Sequence, residues 1–176
     1  MSNPVLTAIA DRRSIRAYSG DQLTQEQLDA ILKAARESPS ALNAQPWHFS
    51  VVQKPEILKE VNEEARKILG GMVEHRPDIF YAAPTVIFAS CDAESRWGRL
   101  DCGIALQTMA LAAHSLGLGS VILGLPDAAF TGPRKDYFNR LLKFPAGYSF
   151  AAAIAIGVPA ATKEAHPQEP DRITFV

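Results

Sequence analysis

Apolar positions along this chain alternate between two periods. Thr24-Gln25-Glu26-Gln27 has the form of a capping box, and after it Leu28, Ile31, Leu32 and Ala35 recur at helical spacing. Proline disfavours helical geometry in the residue before it, so Pro39 ends that helix near Ser38. His48 to Gln53 alternates and carries two valines, which predicts a strand. Pro55 suits a first helical turn. From there Leu58, Val61, Ala65 and Ile68 predict a helical face running to Leu69, closed by Gly70-Gly71. A shorter helix is predicted from Pro4 to about Ala10, with Val5, Leu6 and Ile9 inward. Pro84 to Ser90 reads as a compact apolar strand. The longest helix should run from about Gly98 to Leu116, apolar almost all round through Ile104, Leu106, Met109, Leu111, Ala112 and Leu116. Such a helix is central and buried, or faces a subunit interface. Gly117 is its plausible C-cap.

The pattern continues with a strand from Gly119 to Leu125, a short helix from Gly132-Pro133 to Leu142, and a buried strand from Ser149 to Val158. Beyond Pro159 the tail carries Pro167 and Pro170 and reads as extended, ending in a strand-like Ile173-Thr174-Phe175-Val176. No repeat, low-complexity tract or linker interrupts this order, so one domain over 1–176 is expected. Helices and strands mix without regular βαβ units, which favours an α+β sandwich of one sheet with helices on it. Gly117-Leu118-Gly119 follows a helix and precedes a strand, the reverse of the order a dinucleotide-binding glycine loop requires.

Composition narrows the function classes. A chain of 176 residues should bury roughly 70% of its unfolded surface in one core. Its net charge of -1 argues against a dedicated nucleic-acid or polybasic membrane binder. Cys91 and Cys102 make no zinc or CxxC spacing and read as reduced packing residues. The histidines at 48, 75, 114 and 166 form no metal motif, so no metal is expected. No apolar run reaches the roughly 18 residues that span a bilayer, and no signal peptide is visible, so a cytoplasmic protein is the default.

Two polar clusters stand out. Arg12-Arg13-Ser14-Ile15-Arg16 puts three guanidinium groups and a hydroxyl within five residues. Guanidinium stays charged and can grip phosphate through two parallel N–H bonds. The plain alternative is a solvated basic turn. Pro39-Ser40-Ala41-Leu42-Asn43-Ala44-Gln45-Pro46-Trp47 is a turn that exposes backbone N–H groups, with Asn43 and Gln45 each offering both an amide donor and an acceptor. That mixture suits the polar edge of a flavin ring. The plain alternative is an ordinary helix-to-strand loop with Trp47 as a core anchor.

The two clusters, in this order, resemble the nitroreductase family of FMN-dependent oxidoreductases, whose pattern is R-x-S-x-R/K followed by P-S-x-x-N-x-Q-P-W. Ala83-Pro84-Thr85-Val86-Ile87, the helix from Asp101 to Leu118 with its Gly-Leu-Gly, and Ile156-Gly157-Val158-Pro159-Ala160 extend the likeness over essentially the whole chain. Gln107-Thr108 stands where Gln-Asn is common.

The resemblance implies a nitroreductase-like sandwich, with a central, mostly antiparallel sheet flanked by helices in an intertwined homodimer. The tail over 160–176 would pack on the partner. Arg12, Ser14 and Arg16, with Arg13 alongside, would contact the FMN phosphate and ring from one subunit. Pro39, Ser40, Ala41 and Asn43 would reach the same flavin from the other. Leu123-Gly124 would lie by the ring. Lys163 and His166 stand near the place where a basic pair of the tail usually finishes the phosphate site. Arg76 is a candidate stand-in for polar residues that larger members use before the third strand. NAD(P)H would reduce the flavin and leave, and a nitroaromatic, quinone or similar acceptor would follow at the same site, with no catalytic acid or base assigned. Alternatives on the same scaffold are dehalogenation or dehydrogenation, or a non-catalytic flavin-binding sensor.

Overall fold

The computed structural model describes residues 3–167 and 172–176; Pro170, read above as part of the extended tail, lies outside them. In chain order the elements are α1 (Pro4–Asp11), α2 (Gln25–Arg36), β1 (Trp47–Val52), α3 (Pro55–Leu69), β2 (Thr85–Asp92), α4 (Gly98–Ser115), β3 (Gly119–Leu123), α5 (Asp127–Thr131), α6 (Lys135–Leu141) and β4 (Tyr148–Gly157). The four strands form one antiparallel sheet in the order β1-β2-β4-β3. With helices on both faces, this is the α+β sandwich that the patterning predicts.

Strand alternation divides the core in two. Val86 and Phe88 of β2, with Ala153 and Ala155 of β4, face α3, α5 and α6. Phe130 stacks on Phe150 at 4.7 Å and meets Phe88 edge-on at 6.0 Å. Ile87, Ala89 and Cys91, with Ile154 and Ile156, face α2 and α4. Each large side chain buried in this way contributes about 1.5–3 kcal/mol. Cys91 and Cys102 are free and buried on the α4 side, as packing residues should be. Their mutual contact and burial push the Cys102 thiol up.

Local signals place the ends of the helices. Thr24 and Gln27 close the capping box of α2 reciprocally. Gly117, at φ 75°, ends α4, with Leu118 N–H donating to Ala113 C=O and Gly117 N–H to His114 C=O.

Several expectations change. Val5, Leu6 and Ile9 are 62%, 63% and 50% exposed, because α1 lies off the sheet and buries none of its residues. Only one side of α4 is core: Leu106 and Met109 are fully buried, Ile104, Leu111 and Ala112 half-buried, and Leu116 exposed. Ile68 is exposed at the end of α3. β3 ends at Leu123, two residues early, because Asp127 N–H turns back to Gly124 C=O and starts the unpredicted α5. Among the described residues Ile173 to Val176 pairs with no strand, and Ile173, Phe175 and Val176 are exposed.

Candidate active site

The arginine cluster runs along the open edge of β3. Ile15 N–H donates to Ser120 C=O at 2.9 Å, which makes Ser14 and Ser120 a parallel bridge, and Tyr18 bridges Pro159. Glycine makes this approach possible: a Cβ on Gly119 would stand 3.0 Å from both Cβ and Cγ2 of Ile15. The Tyr18 hydroxyl donates to Ile15 C=O at 2.8 Å and Ala155 C=O at 3.3 Å, tying the segment to β4. Burial pushes its phenol well up.

The three arginines have different tasks. Arg12 is half-buried, and its Nε is buried with no hydrogen-bond partner among the described residues. Arg13 donates to the carbonyls of Ala10 at 2.5 Å and Arg12 at 2.9 Å, so it caps the end of α1. Arg16 lies over the Tyr81 ring at 5.8 Å, and Arg76 lies over the same ring at 5.9 Å. Tyr81 has φ 59° in a turn held by Asp78, whose carboxylate accepts from the N–H groups of Phe80 and Ala82. Lys163 lines two grooves beside Arg12. One, of about 310 Å³, includes His114 and Ser120; the other, of about 590 Å³, includes Leu6, Ser14 and His166. Leu123 is buried in the core, so it can present only its backbone, while Gly124 is exposed with open space where a Cβ would stand.

The second cluster is a strained turn between α2 and β1. Leu42, Asn43 and Gln45 have φ of 53°, 54° and 46°, left-handed values that glycine prefers. Ser40 Oγ accepts from Gln45 N–H at 2.9 Å, and the Gln45 amide donates to Asn43 Oδ1 at 3.1 Å. The latter contact uses the Asn43 oxygen inside the turn and leaves its N–H donors for a ligand. Pro39 is exposed; Pro46 is buried, and Trp47 is half-buried and stacked on Phe49. From α4, Asp101 Oδ1 accepts from Ala41 N–H at 3.2 Å, and Thr108 Oγ1 accepts from the Ser38 hydroxyl at 2.9 Å. Neither groove beside Arg12 reaches Pro39 to Asn43. Within one chain, therefore, the first cluster meets Lys163, Arg76 comes close to Arg16, and the second cluster stands apart.

Comparison with known proteins supplies the context. The nitroreductase-family profile matches residues 9–158. The chain belongs to the nitroreductase family. A nitroreductase of Desulfitobacterium hafniense, solved with bound FMN, superposes with a TM-score of 0.93 at 35% identity, covering 100% of both chains. A relative from Methanothermobacter thermautotrophicus, whose provisional name pairs NADH dehydrogenase with NAD(P)H nitroreductase, is 37% identical over 96% of this chain and 85% of its own length. The FMN reductase [NAD(P)H] of Bacillus subtilis is 30% identical over 95% of this chain and 72% of its own length.

Sequence reasoning passed over Asp101 and Tyr81 as neighbours of the two clusters, and marked Thr108 only as standing where Asn is common. Asp101 carried a signal: a carboxylate opening a helix that is otherwise apolar on its buried side. Tyr81 carried none, because its tie to Arg16 depends on a turn whose shape Asp78 sets.

Proposed function

We propose that two copies of this chain share each flavin site, Arg12, Ser14, Arg16 and Lys163 coming from one copy and the Pro39–Asn43 turn from the other, and that the site serves nitroaromatic or quinone acceptors. The chain is an FMN-dependent NAD(P)H oxidoreductase of the nitroreductase family. The observation that carries the site is the buried, unpartnered Nε of Arg12. A buried N–H donor without an acceptor is costly, and a bound phosphate would satisfy it. The other groups fit the same ligand: Ser14 and Lys163, which carry donors, line the groove beside Arg12, and Gly124 leaves room for a ring.

When bound, FMN supplies the hydride and electron transfer. The residues of this chain bind, orient and polarise. Arg12 and Lys163 would hold the phosphate, with Arg13 fixing the helix end beside them. Arg16 and Arg76, braced on Tyr81, would set positive charge where the ring gains electrons. Pro39, Ser40, Ala41 and Asn43 would close the site, with the Asn43 side-chain amide as its donor, and the backbone of Leu123-Gly124 would border the ring. Reductant and acceptor would then occupy one open site in turn. Two copies are supported by the separation of the clusters and by the exposed apolar face of Val5, Leu6 and Ile9 on α1, with Leu42 fully exposed on the strained turn.

The test is the visible spectrum of the FMN-loaded protein before and after NADH or NADPH under anaerobic conditions. Bleaching of the flavin bands, and their return when a quinone is added, is the expected result. Bands that persist would point to a binding module instead.

A further inference from the structure

A run of left-handed residues that carry a Cβ does not hold its own shape. Between Ser38 and Gln45 three such residues occur, and the turn's internal bonds all lie within residues 40–45: Asn43 N–H to Ser40 C=O, Ala44 N–H to Ala41 C=O, Gln45 N–H to Ser40 Oγ and the Gln45 amide to Asn43. What anchors this turn to α4 is Thr108 on Ser38 and Asp101 on Ala41. The Asp101 contact is the unusual one. Asp101 is 3% exposed, its Oδ1 accepts from Ala41 N–H at 3.2 Å, and its Oδ2 is buried without a partner among the described residues. A buried carboxylate with an unsatisfied oxygen lowers stability, so its hold on Ala41 is not explained by packing. Its position in the first turn of α4, where the helix dipole favours an anion, offsets part of that cost.

We propose that Asp101 is a positioning residue of the flavin site: through Oδ1 it pins Ala41 and thereby sets the left-handed Leu42 and Asn43 that aim the turn's donors at the flavin. The inference rests on the proposed flavin role of the turn. It acts through Ala41 and requires no contact between Asp101 and FMN. Only a hydrogen-bond acceptor is needed at Oδ1, so an amide should substitute for the carboxylate.

Two variants of the full chain, Asp101→Ala and Asp101→Asn, test this by hydrogen exchange without flavin and by FMN titration. Asp101→Ala should speed exchange of the Ala41 amide and weaken FMN binding, each by roughly tenfold or more, with the Leu106 amide inside α4 unchanged. Asp101→Asn should restore both to within about threefold of wild type, since its oxygen still accepts. FMN affinity in Asp101→Ala equal to wild type would overturn the inference. So would faster exchange at Ala41 and Leu106 together, which marks general loosening, or a failure of Asn to rescue. Failure of the wild type to take up FMN would instead overturn the flavin reading beneath it, and the exchange data would still report whether Asp101 holds the turn.

Discussion

The two halves of the candidate site are built on opposite principles. Residues 12–18 are held by regular means: a bridge to β3, a glycine that lets backbones approach, and a half-buried tyrosine tying the segment to β4. Their backbone carries no left-handed residue. What is left unspent is charge, above all at the unpartnered Arg12 Nε. The turn over 38–45 is the converse. Its side chains are small or neutral, and its backbone is strained at Leu42, Asn43 and Gln45. It keeps its shape through hydrogen bonds donated to the side chains of Asp101, Thr108 and Ser40 and to the carbonyls of Ser40 and Ala41. A rigid edge can afford unpaired cations because the sheet fixes them. A strained turn that offers an amide side chain needs bracing from within and from α4.

Arg12→Ala should have the largest effect. It removes the unpaired donor without touching the segment's backbone, so FMN affinity should fall at least about 30-fold, as for loss of a buried charged contact, while the melting temperature stays near wild type; FMN titration with calorimetry checks both. Gly119→Ala attacks the edge itself. The new Cβ meets Ile15 at 3.0 Å, at branched atoms that cannot swing aside. Denaturant unfolding should show a loss of about 1–3 kcal/mol, with weaker FMN binding alongside.

On the other side of the comparison, Ser40→Ala deletes the acceptor for Gln45 N–H and should weaken FMN binding by a factor of about 3–10 with little change in global stability. Arg13→Gln sharpens the contrast within the basic cluster. Its guanidinium caps α1 rather than standing open. It should therefore lower stability by about 0.5–1.5 kcal/mol and change FMN affinity far less than Arg12→Ala does.

The smallest effect concerns Tyr18. Burial raises its phenol above the ordinary value of 10.0. Above that pH the unfolded chain ionises first and binds fewer protons, so stability falls as pH rises. Tyr18→Phe should remove part of this alkaline decline in denaturant titrations run across that range.

Much of this was legible in the sequence because the signals were local. Thr24-x-x-Gln27, Pro55 and Gly117 fix helix ends through chemistry within a few residues, and α3 runs from Pro55 to Leu69 as the pattern predicts. Both clusters could be recognised because each is contiguous. Failures came where a partner far along the chain decides. The apolar face of α1 looked inward by periodicity alone, but periodicity gives a face and not what it faces. The run after Leu123 looked like strand, yet its pairing with β4 ends at Leu123 opposite Ala153, where the chain turns and Asp127 N–H reaches back to Gly124 C=O. Asp101 lies 60 positions from the amide it holds, and Arg76 reaches Arg16 only across Tyr81.

Whether each flavin site is drawn from two chains can be read most directly by complementation between Arg12→Ala and Asn43→Ala. Each variant alone should retain little FMN and oxidise NADH or NADPH poorly. Unfolded together and refolded, they should recover about a quarter of the wild-type sites, because half of randomly formed dimers are mixed and each mixed dimer has one intact site. Flavin content and reductase activity no higher than the average of the two variants would contradict a shared site and place the whole flavin pocket within a single chain.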